Sequence, residues 1–207
     1  MTQALAAFNQ HGLILATDSL ATRFTGAGKP EFFNVEKLFP LGTHAAILSG
    51  GAGVSVPLSR ALAQEINRRR GVDDLDDVVD LATPFLSRGY DRYLQQRGPD
   101  PEGFRRIYFI LAGYSPERPP PGYGLTLLGS EENEPLKMIP VTNQVVMPRN
   151  LGMEMRLLQA LNGGADLTEL LKLSKDFLEK MAAAKEEVGP PFYFAAITSA
   201  GYSPESV

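Results

Sequence analysis

Apolar residues in the first fifty positions fall in short runs separated by turn formers, and from Val54 onward the spacing changes to that of helices. Gln3 to Phe8 and Leu13 to Ala16 predict two strands around Asn9-Gln10-His11-Gly12, where asparagine and glycine suit a hairpin turn. Arg23 to Asn34, with Gly26, Gly28 and Pro30, predicts a loop. Val35 to Phe39 and Ala45 to Ser49 predict two more strands, separated at Pro40-Leu41-Gly42. The opening therefore reads as a small antiparallel sheet.

From Val54 to Arg70, Leu58, Leu62 and Ile66 recur at helical spacing with polar residues between them. Asp73 to Gln96 repeats that pattern, with Asp73 or Asp74 as a cap and acidic residues in the first turn. Pro84 inside it predicts a kink or an early break. Strands are expected again at Arg106 to Ala112, Leu125 to Leu128 and Met138 to Val141, around the loop Pro119-Pro120-Pro121-Gly122. Helices at Glu154 to Leu161 and Leu167 to Ala184 flank Asn162-Gly163-Gly164, and Phe192 to Thr198 closes the series. This order predicts one α+β domain over residues 1–207, a four-layer αββα sandwich of two antiparallel sheets with helices on both outer faces.

Composition narrows the chemistry. The 207 residues include no cysteine and only two histidines, His11 and His44, which removes thiol nucleophiles and makes an imidazole metal site improbable. The net charge of −4 gives no general attraction for nucleic acid. Arg68-Arg69-Arg70 reads as a solvated helix C-terminus, where positive charge complements the helix dipole. No segment reaches the roughly 18 apolar residues of a membrane span, and the start lacks the layout of a secretory signal. The expectation is a cytoplasmic protein with no cofactor, no metal, no nucleic acid and no membrane partner. Gly50-Gly51-Ala52-Gly53 precedes a helix as a phosphate loop would, yet lacks the following Gly-Lys-Ser/Thr.

Thr2 carries the main chemical signal. A threonine exposed by removal of Met1 has its own base, because its α-amino group titrates near ~7.7–8.0 and lies within reach of its own hydroxyl. Thr2, the strand end Ala16-Thr17-Asp18-Ser19, Lys37-Leu38-Phe39 and Ser49-Gly50-Gly51 occur in an order that resembles the proteasome β-subunit family of N-terminal nucleophile hydrolases, as a bacterial proteasome-like homologue. Ile110 to Tyr114 and Phe194 to Thr198 extend the resemblance over nearly the whole chain.

The resemblance implies that Thr2 is the nucleophile, that Asp18 and Lys37 are the family's acid and lysine, and that the Gly50 N–H is the oxyanion donor. A nearby lysine lowers the hydroxyl pKa electrostatically, and an aspartate fixes that lysine in place. By position, Ala21, Val35, Leu48 and Ala52 would line the pocket for the residue preceding the cut, and Thr22 would hydrogen-bond the substrate backbone. All four lining residues are apolar, which implies cleavage after apolar residues. The resemblance also implies stacked homo-oligomeric rings, with the 54–70 and 73–96 helices as stacking surfaces, peptide or unfolded-protein substrates, and an ATP-dependent unfoldase as partner.

The chain departs from the family pattern in three places. The Thr22 to Lys37 loop is longer than usual. Met147-Pro148-Arg149-Asn150-Leu151-Gly152 replaces a Gly-Ser-Gly-type turn, with Asn150 as the stand-in for serine, and in Lys185 to Pro190 Glu186 substitutes for an aspartate. These changes touch the groups that would support the Thr2 amine. They keep two other readings open: a catalytically silent scaffold subunit, and an amide ligase or transferase using the same threonine. A retained Met1 would acylate the amine and leave Thr2 inert.

Overall fold

The chain's hydrophobic runs are buried on both sides, which is why so many strands are almost continuously apolar. The computed structural model describes residues 2–23, 30–97, 106–131 and 134–207. Its elements are β1 (Ala4–Asn9), β2 (Gly12–Thr17), β3 (Leu20–Arg23), β4 (Glu31–Asn34), β5 (Leu38–Leu41), β6 (Ala45–Gly51), α1 (Ser55–Arg68), α2 (Leu75–Arg97), β7 (Ile107–Tyr114), β8 (Tyr123–Ser130), β9 (Lys137–Ile139), β10 (Gln144–Met147), α3 (Leu151–Asn162), α4 (Leu167–Ala184), β11 (Tyr193–Thr198) and β12 (Gly201–Glu205). The result is a mixed α+β fold with three antiparallel sheets, ordered β10-β1-β2-β11-β12, β3-β4 and β5-β6-β7-β8-β9.

Strand alternation distributes side chains among three apolar clusters. Ala4 and Ala6 of β1 join Ala46 and Leu48 of β6 and Ile110 of β7 in a cluster shared by the two five-stranded sheets. Leu5 and Ala7 point the other way and pack with Leu157 of α3 and Leu170 and Leu178 of α4. On β6, Ala45 and Ile47 turn instead toward Leu62 and Ile66 of α1 and Val78, Ala82 and Leu86 of α2. Each large aliphatic group so buried contributes roughly 1.5–3 kcal/mol relative to exposure.

Local signals set the helix starts. The Asp74 carboxylate accepts the N–H groups of Asp76 and Asp77 at the head of α2. Asp166 and Glu169 form a reciprocal capping box on α4. Of the kink or early break expected at Pro84, the break does not occur: α2 is continuous through it. Val78, Ala82, Leu86 and Tyr90 are fully buried on one face and hold both halves, while Asp80 and Pro84 lie on the exposed side, where the carbonyl lacking a partner can meet water.

Four further expectations are corrected. The opening strands do not form one small sheet, because β1 and β2 pair with β10 and β11 whereas β5 and β6 pair with β7. Within the expected 23–34 loop, Glu31–Asn34 is a strand, and it pairs with Leu20–Arg23 to give a third sheet where two were expected. Val35 to Lys37 precede β5 instead of belonging to it, since Lys37 is drawn to Asp18. Strands β10 and β12 were not expected; each is an edge strand with a short or polar sequence. Met1, Gly26 and Gly28 lie outside the described residues.

Candidate active site

The β1–β2 register, Ala4 opposite Thr17, brings Gln3 beside Asp18 and leaves Thr2 just beyond the end of the paired strands. Asp18 N–H donates to the Gln3 carbonyl at 3.1 Å, and Gln3 N–H donates back to Asp18 Oδ1 at 2.9 Å. The hydroxyl of Thr17 adds a bond to the same Gln3 carbonyl at 3.2 Å. The start of the chain is thereby held against the Asp18 carboxylate.

Asp18 accepts two further bonds, from Leu20 N–H to Oδ2 at 3.0 Å and from Lys37 Nζ to Oδ1 at 3.0 Å. Lys37 Nζ also donates to the Leu20 carbonyl at 2.6 Å. Asp18 is 0% exposed and Lys37 2%. The β5–β6 pair fixes the backbone of Lys37, whose carbonyl accepts Ser49 N–H at 3.1 Å. Burial pushes the Asp18 carboxyl up and the Lys37 ammonium down, each shift opposed by the charge of the other. The lysine is thus a desolvated cation that gives up its proton more readily than an ordinary surface lysine.

The other five-stranded sheet supplies Gly50 and Tyr108, which are directly opposite each other in register. A Cβ built on Gly50 would overlap the Tyr108 hydroxyl and come within 2.9 Å of the Thr2 Cβ, so only glycine lets β6 approach Thr2 this closely. Tyr108 Oη donates to the Thr2 carbonyl at 3.3 Å. The peptide unit joining Thr2 to Gln3 is therefore held at both ends, its C=O by Tyr108 and its N–H by Asp18. Burial first, and then the Asp18 charge, raise the Tyr108 pKa, which keeps this hydroxyl a neutral donor.

Four residues selected from the sequence, Thr2, Asp18, Lys37 and Gly50, are thus brought together from separate segments. Tyr108 was missed. Its only sequence signal is one hydroxyl within Ile107 to Leu111, and its pairing with Gly50 depends on a register that periodicity does not reveal.

The remaining candidates are more dispersed. Ala21 and Thr22 are half-buried on β3, and half-buried Val35 donates its N–H to the Ser19 carbonyl. Leu48 is fully buried between the sheets on the Gly50 side of β6, whereas Ala52 packs in the cluster beneath α1 and α2. Asn150 is the N-cap of α3, its side chain accepting Met153 N–H at 3.0 Å. Glu186 is exposed in the turn after α4; in that turn it is the Gly189 carbonyl that reaches Ser19. Among the described residues, no group of three or more His, Asp or Glu side chains is placed to hold a metal ion.

An α+β fold with a clustered threonine, buried aspartate–lysine pair and close-approach glycine defines the structural class. Comparison with solved structures gives a particular counterpart: the chain matches a subunit of the structure described as the helical assembly of the Anbu complex from Pseudomonas aeruginosa, with a TM-score of 0.70 and 18% identity over 99% of this chain and 85% of that one. That likeness shows a shared fold. No family model matches the sequence, and no curated protein matches it. The expected assignment to the proteasome β-subunit family is corrected accordingly, because its motifs are short and the match found is one of structure at low identity. Among the described residues no helix is long and apolar enough to cross a membrane.

Proposed function

We propose that the chain is a threonine-type peptide hydrolase subunit that works within an assembly of its own copies. The observation that carries this reading is the convergence of Thr2 with the Asp18–Lys37 pair and Gly50. In the proposed reaction, Met1 is removed and the Thr2 hydroxyl attacks the substrate carbonyl while the freed α-amine accepts its proton. Lys37, fixed by Asp18, lowers the energy of the developing alkoxide. The Gly50 N–H, expected as the oxyanion donor, instead faces Tyr108 in the β6–β7 ladder, as the flanking bonds from Ala52 N–H to Arg106 and from Tyr114 N–H to His44 require, so Gly50 serves the site by its close approach alone. The amine then passes its proton to the leaving nitrogen. Water cleaves the resulting ester, releasing the acid and restoring the Thr2 hydroxyl.

The three apolar clusters support a single-domain, four-layer arrangement over 1–207, in which the site lies at one end of the sheet pair. Ala21 and Val35 offer no charge to a side chain preceding the cut, and Leu48, expected beside them, is fully buried between the sheets. Peptides with Leu at that position are therefore expected to have a kcat/KM roughly tenfold above those with Arg, whose cation would be desolvated without a partner. Comparable rates in a fluorogenic peptide assay would overturn this specificity.

The Anbu structure is a helical assembly. In this chain α3 presents Leu151, Met155 and Leu158, 70%, 48% and 37% exposed, an apolar surface that supports self-association. Light scattering is expected to give a mass well above that of the 22.5 kDa chain; a monomer would remove assembly from the proposal. We place the protein in the cytoplasm.

One observation favours a second reading. Asn150 is engaged as a helix cap and Glu186 is exposed, so the two groups expected to support the amine are occupied or turned outward. A catalytically silent subunit of the same fold would have this arrangement, and failure of Thr2 to react with a hydroxyl-directed electrophile would select it.

A further inference from the structure

The two-stranded sheet beside the site carries a charged residue that the chemistry above does not use. Among the described residues β3 pairs with β4 alone, which leaves its other edge open. Val35 N–H donates to the Ser19 carbonyl, whereas the N–H and C=O of Leu20 turn the opposite way, to Asp18 and Lys37. These directions alternate along an antiparallel strand, so Thr22 presents its N–H and C=O at the open edge, on the side of the Asp18–Lys37 pair.

An extended peptide paired at that edge places one residue opposite Thr22 and sets its two neighbours on the face shared by Ala21 and Arg23. The neighbour at the Ala21 end is nearer Thr2 and corresponds to the residue preceding the cut. The neighbour at the Arg23 end is then the third residue before the cut. The register pairs Ala21 with Phe33 and Arg23 with Glu31, so Phe33 and Glu31 share the same face. The Arg23 guanidinium leans along the hairpin toward the site end, its carbon 5.1 Å from the centre of the Phe33 ring. Arg23 is exposed and Phe33 is 39% exposed, so a bound side chain can reach both.

We propose that Arg23, supported by Phe33, selects peptides with an acidic side chain at the third residue before the cut. The inference rests on the peptide-hydrolase reading and adds a substrate class to it. Glu31 is the competing carboxylate on this face, and its position opposite Arg23 tempers the preference.

The test uses fluorogenic peptides with Leu before the cut and Glu, Gln or Lys at the third position. At low salt the wild-type kcat/KM is expected to be roughly threefold higher for Glu than for Gln, with Lys below Gln, the size of effect an exposed ion pair supports. The gap narrows at high ionic strength. Arg23→Gln brings the Glu-to-Gln ratio to about one, Arg23→Lys retains part of it, and Glu31→Gln increases it. Equal rates for Glu, Gln and Lys peptides in the wild type would overturn the selection by Arg23 alone. Absence of hydrolysis of all three would overturn the hydrolase reading, and this inference with it.

Discussion

Thr2→Ala is expected to abolish peptide hydrolysis, lowering kcat/KM by a factor of roughly 10³ or more, while the protein still folds. The loss follows from removing the only atom proposed to form a bond to the substrate. Folding should survive because the contacts that hold this end of the chain are made by main-chain groups: the Thr2 carbonyl to Tyr108, the Gln3 N–H to Asp18 and the Gln3 carbonyl to Thr17 and Asp18. Thr2→Ser should keep part of the activity, since it retains both hydroxyl and amine. A Thr2→Ala protein that hydrolyses peptides at the wild-type rate, measured with a fluorogenic substrate and an unchanged circular dichroism spectrum, would remove Thr2 from the mechanism.

The second large effect is at Lys37. Lys37→Met leaves the Asp18 carboxylate buried without its counter-ion, a change that typically costs about 3–5 kcal/mol, and it removes the cation proposed to act on the Thr2 hydroxyl. Both stability and activity should fall together. Adding Asp18→Asn to Lys37→Met restores much of the stability in a denaturant titration and none of the activity, which separates the two roles. A Lys37→Met single variant as stable as wild type would contradict the buried pair.

The same pair sets the pH behaviour. Burial lowers the folded-state pKa of Lys37, so between that value and the ordinary lysine range the unfolded chain holds the extra proton, and stability rises with pH across this window. Asp18 is raised, so from the ordinary aspartate range up to its folded value the folded chain holds the extra proton, and stability falls as pH rises. Activity should increase as the Thr2 amine loses its proton near ~7.7–8.0, then decrease as Lys37 deprotonates below the usual lysine range. A rate that keeps rising through the usual lysine range would exclude a charged Lys37.

How much of this was legible depended on how local each signal was. The α4 boundaries, Leu167 to Ala184, follow from a capping box and a regular apolar stripe, both within one stretch of chain. Strands β2, β6 and β7 announce themselves as unbroken apolar runs because sheets and helices cover both faces. By contrast, β3 and β4 are four residues each and half-buried or exposed, and they flank a segment with the composition of a loop. Sheet membership was not legible, since β1 finds β10 across most of the chain. In the site, Asp18 and Lys37 were reached through the resemblance, by their places between Thr17 and Ser19 and before Leu38-Phe39, whereas Tyr108 becomes visible only when β6 and β7 are set in register. The family resemblance drew on short motifs that fit this arrangement, and the comparisons support the fold without the family.

The most direct test of the central claim is the intact mass of the purified protein before and after treatment with a peptide epoxyketone, which requires both the hydroxyl and the free amine of an N-terminal threonine. The account predicts a chain lacking Met1 that gains one adduct, with no adduct on Thr2→Ala. A chain lacking Met1 that stays unmodified would contradict it, and so would an adduct that persists in Thr2→Ala.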